Sequence, residues 1–211
     1  LYAGNDALGR AYREGRAART ELMADLAAEP QPADGGAPPA YSFPAIAARL
    51  AHLLDQNRRI HLAFVSLGGW DTHVRQGNAK GQLALRLRPL GDGLAALAHG
   101  LGRNLSDTIV VVISEFGRTV HENGDGGTDH GHGNVLWVLG GPVKGGRIYG
   151  DWPGLGAAQL YEGRDLAVTT DYRSVLAAIL ARHLRLSDRA LDQVFPGLPP
   201  ARSDFGQLLA S

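Results

Sequence analysis

Two short apolar runs and the leucine-spaced segment between them constrain this chain most. "IHLAFVSL" (60–67) and "TIVVVIS" (108–114) are rich in β-branched and aliphatic residues and carry apolar side chains on both faces. That is the pattern of strands buried on both sides. Between them, Gln82 to Leu101 places Leu83, Leu87, Leu90, Leu94, Leu97 and Leu101 at helical spacing. Strand, helix, strand reads as a βαβ unit, and "NVLWVLGG" (134–141) supplies a third strand. The expected fold class is therefore α/β, a three-layer α/β/α sandwich on a mostly parallel sheet.

The flanks fit around that centre. Residues Asn5 to Glu29 read as a helix, with Asn5 as its N-cap. "EPQPADGGAPPAYSFP" (29–44) holds five prolines and two glycines and reads as a linker or long loop. A second helix, capped by Ser42 and opened by Pro44, extends to about Gln56, with Ile46, Leu50, Leu53 and Leu54 as its apolar stripe. Thr170 or Asp171 caps a helix to about His183, and Ser187 caps a shorter one ending before Pro196. The domain reading is a helical segment over 1–28, the linker over 29–44 and the α/β domain over 45–211. Starting at Leu1 rather than Met, the chain reads as the C-terminal portion of a longer protein.

Composition removes several function classes. With 211 residues, a fold buries roughly 70% of the extended chain's surface. Lys plus Arg equals Asp plus Glu at 21 each, so the basic excess of a general nucleic-acid or anionic-membrane binder is missing. The absence of cysteine excludes disulfides, thiolate metal sites and thiol nucleophiles. No apolar stretch approaches the roughly 20 residues of a membrane span.

The chemistry gathers where strands end. In an open parallel sheet, ligands collect beyond the carboxyl ends of the strands. "GGWDTH" puts Asp71 and His73 after the first apolar run, and "SEFGRT" puts Glu115 after the second. "NGDGGTDHGHGN" puts Asp129, His130 and His132 just before the third. Mixed imidazole and carboxylate donors suit zinc, manganese or iron better than calcium. Each piece alone is weak: Asp-x-His is most often a turn, Glu115 could pair with Arg118, and closely spaced histidines between glycines could be a solvated loop. Their convergence on one edge is what points to a divalent metal site.

"VSLGGWDTH", "VVVISEFGRTVHENGDGGTDHGHGNVLWVLGGPVKGG" and "IYGDWPGL" together resemble the bacterial domain-of-unknown-function 1501 family, which is related to the alkaline phosphatase and sulfatase superfamily. The resemblance covers about residues 60–197. It implies an α/β/α sandwich, one or two divalent ions (zinc or manganese) flanking a Ser or Thr nucleophile, and export through the twin-arginine route. Asp71, His73 and His130 look like one metal's ligands, and Glu115 looks like a ligand of a second. Phe116 stands where that second site should have a histidine, so the site would be weak or would borrow Asp129 or His132. The nucleophile implied by the resemblance would lie upstream of Leu1.

Arg118 and Lys144 are the candidate charge stabilisers, each equally suited to a surface ion pair. Ser114, Thr72 and Thr119 are the hydroxyls nearest the ligands, and none has a base beside it. The leading reading is a metal-dependent hydrolase of small phosphate or sulfate esters. The alternative is a catalytically degenerate protein that binds metal or a partner.

Overall fold

The computed structural model describes residues 39–57, 59–198 and 203–210, together with positions 9, 10, 12, 13, 16, 17 and 20. Those seven positions are helical; the rest of the expected Asn5–Glu29 helix and most of the 29–44 linker lie outside the described residues. The chain divides into two compact units, residues 1–69 with 89–100 and residues 70–88 with 101–211.

The first unit is built on α1 (Phe43–Gln56) and the greater part of α2 (Gln82–Leu101). A 3-10 turn, Ala40–Ser42, leads into α1, and the Ser42 hydroxyl donates back to the Pro39 carbonyl (2.7 Å) instead of capping the helix. The buried stripe of α1 is Phe43, Ala47, Leu50 and Ala51, rotated from the expected Ile46/Leu50/Leu53/Leu54 face. The cause is close helix approach: a Cβ on Gly93 would strike the Phe43 ring, and one on Gly100 would strike Ala51. The helices meet at glycine and alanine, not along the leucines.

The second unit carries the sheets, and here the expected architecture fails. The three-layer sandwich on a parallel sheet is not formed. Strands β1 (Ile109–Val112) and β4 (Trp137–Gly140) pair antiparallel, as do the two-residue β2 (Gly117–Arg118) and β3 (His130–Gly131). These are the sheets among the described residues, and the one parallel contact is an isolated bridge between Pro39 and Gly68. The expected strand over 60–67 forms no ladder among the described residues; Leu62 and Phe64 are 79% and 89% exposed.

The reason lies in the connection between β1 and β4. A parallel return needs a crossover, usually a helix, to carry the chain back along the sheet. Residues 113–136 contain no helix. The chain leaves β1, makes a loop with its own ribbon and comes straight back as β4. Continuous apolar runs report burial potential, not strand direction.

One face of the β1–β4 ribbon is packed. Ile109, Val111, Leu136 and Val138 lie against a cluster of Val175, Ile179, Phe205, Leu208 and Leu209. Val175 and Ile179 come from α3 (Tyr172–His183), whose N-cap Asp171 accepts from the Arg173 amide at 2.9 Å. Helix α4 (Asp188–Val194) is capped by Ser187. Burying Phe205 alone contributes about 2–3 kcal/mol. The opposite face leaves Trp137 and Leu139 exposed. No helix among the described residues is long and apolar enough to cross a membrane.

Candidate metal centre

The site is assembled by a backbone contact that strand patterning does not reveal. Val74 bridges Gly126 in antiparallel sense, and the amides of Arg75 and Gln76 donate to the carbonyls of Asp125 and Gly126 at 3.0 and 2.8 Å. Thr128 donates to the Thr72 carbonyl (3.3 Å). Segment 72–76 is thus laid along 125–128, which brings Asp71 and His73 beside His130. Gly127 makes this possible, because a Cβ there would fall on the His73 carbonyl group. The start of α2 fixes the other side, with Gln82 Nε2 donating to the Val74 carbonyl at 2.8 Å.

Three donors converge. Asp71 Oδ1 lies 2.9 Å from His73 Nε2 and 2.9 Å from His130 Nε2, and the two imidazole nitrogens are 3.1 Å apart. The side chains of Asp71, His73 and His130 are 63%, 40% and 50% exposed. Among the described residues this is the one group of His and carboxylate donors arranged to hold an ion.

Each donor is braced from behind. The Asp129 carboxylate meets His73 Nδ1 at 3.1 Å, and Asn123 Nδ2 donates to Asp129 Oδ1 and to the His73 carbonyl, both at 3.0 Å. Arg118 Nη1 donates to Asp71 Oδ1 at 2.9 Å, while its Nε donates to Thr128 Oγ1 at 3.0 Å and its Nη2 to the Thr128 carbonyl. The Phe116 ring stacks on His130 with centroids 4.2 Å apart. Gln76 Oε1 accepts from both Thr72 and Thr128 hydroxyls at 2.7 Å.

These contacts set the charge state of the carboxylates. Hydrogen bonding from His130, then from Arg118, lowers the Asp71 carboxyl to about 2. Asn123 first, and His73 after it, hold Asp129 below the ordinary range. Both are anions at neutral pH. The ionised Asp71 oxygen lies 2.9 Å from the Nε2 of each imidazole, and the ionised Asp129 faces the other ring nitrogen of His73 at 3.1 Å.

The remaining sequence candidates are placed elsewhere. Glu115 is exposed and outside the cluster. Asp129 serves as the brace of His73. His132 is turned to Asp165, whose Oδ2 accepts from the His132 amide at 2.6 Å and from His132 Nδ1 at 2.9 Å. The Asp165 side chain is fully buried. Burial raises its pKa, but the His132 backbone and ring hydrogen bonds, with the Arg164 charge, outweigh that and lower it.

Sequence reasoning passed over Asn123, Gln76, Arg164 and Asp165. Asn123 had a signal, since Asn-Gly marks a turn, and its Oδ1 does accept the amides of Asp125 and Gly127 at 3.0 Å. Asp165 and Gln76 had none, as their roles exist only through distant partners. Next to Asp129 lies an open cavity of about 210 Å³ with Thr119, His121, Glu122, Asn123 and Arg164 on its walls.

With this geometry in view, comparison with known proteins gives a family. The model of a protein family of unknown function, DUF1501, matches residues 5–195. The chain belongs to that family. No curated protein and no solved structure matches it. In DUF1501 terms, the segments that hold the donors and their braces, 71–76 and 116–134, fall inside the matched span, as does Asp165.

Proposed function

We propose that this DUF1501 chain is a divalent-metal-dependent hydrolase of small phosphate or sulfate esters, with zinc or manganese held by Asp71, His73 and His130. The observation that carries the reading is the convergence of Asp71 Oδ1, His73 Nε2 and His130 Nε2 on one exposed point. Two neutral imidazoles and one ionised carboxylate are the donor chemistry such an ion requires. When bound, the ion would supply Lewis-acid polarisation of an ester oxygen and a more acidic bound water.

The chain's own residues would do the rest. Asp129 fixes the His73 tautomer so that Nε2 stays available, an arrangement typical of metal-ligating histidines. Arg118 orients Asp71 through Nη1, while its Nε and Nη2 are bonded to Thr128. Arg164 is the better cation for an anionic ester. Its side chain is 55% exposed and faces the cavity beside Asp129, while Nη2 donates to the His130 carbonyl at 3.2 Å.

One observation favours the second reading, a protein that binds metal without turnover. The loop hydroxyls near the donors are committed as donors: Thr72 to Gln76, Ser114 to the Phe116 carbonyl (3.3 Å) and Thr119 to the His121 carbonyl (3.1 Å). None is paired with a base that would make it a nucleophile. A metal-stripped sample reloaded with zinc or manganese and assayed on aryl phosphate and aryl sulfate separates the two. Metal-dependent turnover lost in Arg164→Ala and His130→Ala supports the hydrolase. Stoichiometric metal uptake without turnover supports the binder.

A further inference from the structure

We infer that Asn123 is a deamidation site which the folded chain keeps closed, and that its conversion to a carboxylate dismantles the brace behind His73. The consequence for metal rests on the metal reading above; the modification itself does not. Asn123–Gly124 is the one Asn-Gly step among the 211 residues. At such a step the glycine nitrogen can attack the carboxamide carbon, because no side chain stands in its way. A bond forms between Gly124 N and Asn123 Cγ, the Cγ–Nδ2 bond breaks, and ammonia leaves with the Gly124 amide proton. Water then opens the five-membered imide, giving aspartate or, through the other carbonyl, isoaspartate. Gly124 is exposed, and even a Cβ there would meet nothing within 4 Å, so the surface around it is uncrowded.

The fold works against the attack. Asn123 Oδ1 accepts the amides of Asp125 and Gly127, and Nδ2 donates to the His73 carbonyl and to Asp129 Oδ1, all four at 3.0 Å. The backbone of Asn123 is tied as well: its amide donates to the Gly127 carbonyl at 2.8 Å, and its carbonyl accepts from the Gly126 amide at 3.2 Å. Turning the carboxamide towards Gly124 forfeits the side-chain bonds, so ring closure proceeds through local opening of the loop. An ion bound through His73 holds the loop shut, since whatever binds only the closed form stabilises it. Once made, the change is not undone by refolding. A carboxylate at 123 has no N–H for the His73 carbonyl, and it would stand against the Asp129 carboxylate where the amide now donates. Like charges that close disfavour each other, and Asp129 is the group that faces His73 Nδ1.

The test incubates the whole chain in mildly alkaline buffer in three forms: guanidinium-unfolded, folded without metal, and folded with zinc or manganese. Mass mapping of the tryptic peptide that carries Asn123 follows the conversion. The rate should be fastest in the unfolded chain, at least about 10-fold slower in the folded one, and slower again with metal. Gly124→Ala should slow the unfolded rate without changing metal uptake. Asn123→Asp should bind metal at least about 10-fold more weakly than wild type, and folded wild-type chain already converted at 123 should match it. A folded chain that converts as fast as the unfolded one overturns the protection. Wild-type metal affinity in both Asn123→Asp and the converted chain overturns the dismantled brace. A wild-type chain that binds neither ion overturns the metal reading alone, because the ratio of folded to unfolded rates needs no metal.

Discussion

His130 and His132 stand on either side of Gly131, and each faces an aspartate, yet the two pairs have opposite characters. His130 meets Asp71 in the open, in a group that also includes His73 and Arg118. His132 meets Asp165, whose side chain is entirely buried and whose Oδ1 has no hydrogen-bond partner among the described residues. The nearest cation to that oxygen is Arg164 Nε at 3.8 Å. Gly131 separates the two, and a Cβ there would come within 2.7 Å of Asp165 Cβ. The same residue types thus do different work according to burial. Exposed donors braced from behind can exchange their partners for an ion, whereas a buried carboxylate cannot release its partner without stranding a charge.

Substitutions should separate the pairs cleanly. The largest effect is expected on metal affinity: Asp71→Ala or His130→Ala should weaken binding by more than about 100-fold. Neither should change unfolding free energy in the absence of metal by more than roughly 0.5 kcal/mol, as these side chains are exposed. Isothermal titration and denaturant melts on the same variants give both numbers. A large loss of stability in Asp71→Ala would erase the contrast.

The mirror experiment is Asp165→Ala. It should cost about 2 kcal/mol of stability, because it removes the acceptor of two His132 N–H groups from the interior. The variant that remains folded should still take up metal with the wild-type stoichiometry. His132→Ala sharpens this, since it should destabilise the chain and leave metal uptake intact.

Smaller effects should come from the braces. Asp129→Asn keeps the shape of the side chain but loses the charge that fixes the His73 tautomer. Metal affinity should fall by about 10-fold. An unchanged affinity would mean that His73 needs no orienting partner.

Acid should act on the metal-free chain through the carboxylates. Folding depresses the pKa values of Asp71, Asp129, Asp165 and Asp171. Groups depressed by folding contribute stability that is complete above their unfolded values near pH 4 and is lost as pH falls through the folded ones. Melts should be flat in this contribution above about pH 5 and decline towards pH 2. Asp165→Asn should flatten that decline, and Asp71→Asn should flatten it less, because exposed pairs are screened by solvent.

Much of this centre was legible in the sequence because its donors are chemically distinctive and lie at the ends of apolar runs. Asp71, His73 and His130 could be named from residue type and position, and the structure brings those three together. Glu115, also named, stays apart, because the chain turns through Gly117 and Arg118 into the short ribbon instead of continuing past the donors. The roles of Gln76 and Asp165 were hidden, since nothing local marks either as a partner of residues some fifty or thirty positions away. Helices α3 and α4 were readable from their caps and α2 from its spacing, ending where its leucines end. Ser42, by contrast, does not cap α1, and the buried face of α1 is not the expected one. The parallel sheet fails because residues 60–67 and 108–114 look alike as apolar runs, but among the described residues only the second finds a partner strand. That pairing is fixed by the helix-free loop at 113–136, a property of the connection and not of either strand.

The central claim is that one exposed face built from Asp71, His73 and His130 holds a single divalent ion, independently of the buried pair beside it. Elemental analysis after loading with manganese or zinc and exhaustive dialysis tests it most directly. One equivalent should remain in the wild-type chain and in His132→Ala, and essentially none in His73→Ala. A wild-type chain that retains no metal, or a His73→Ala chain that retains a full equivalent, would contradict it.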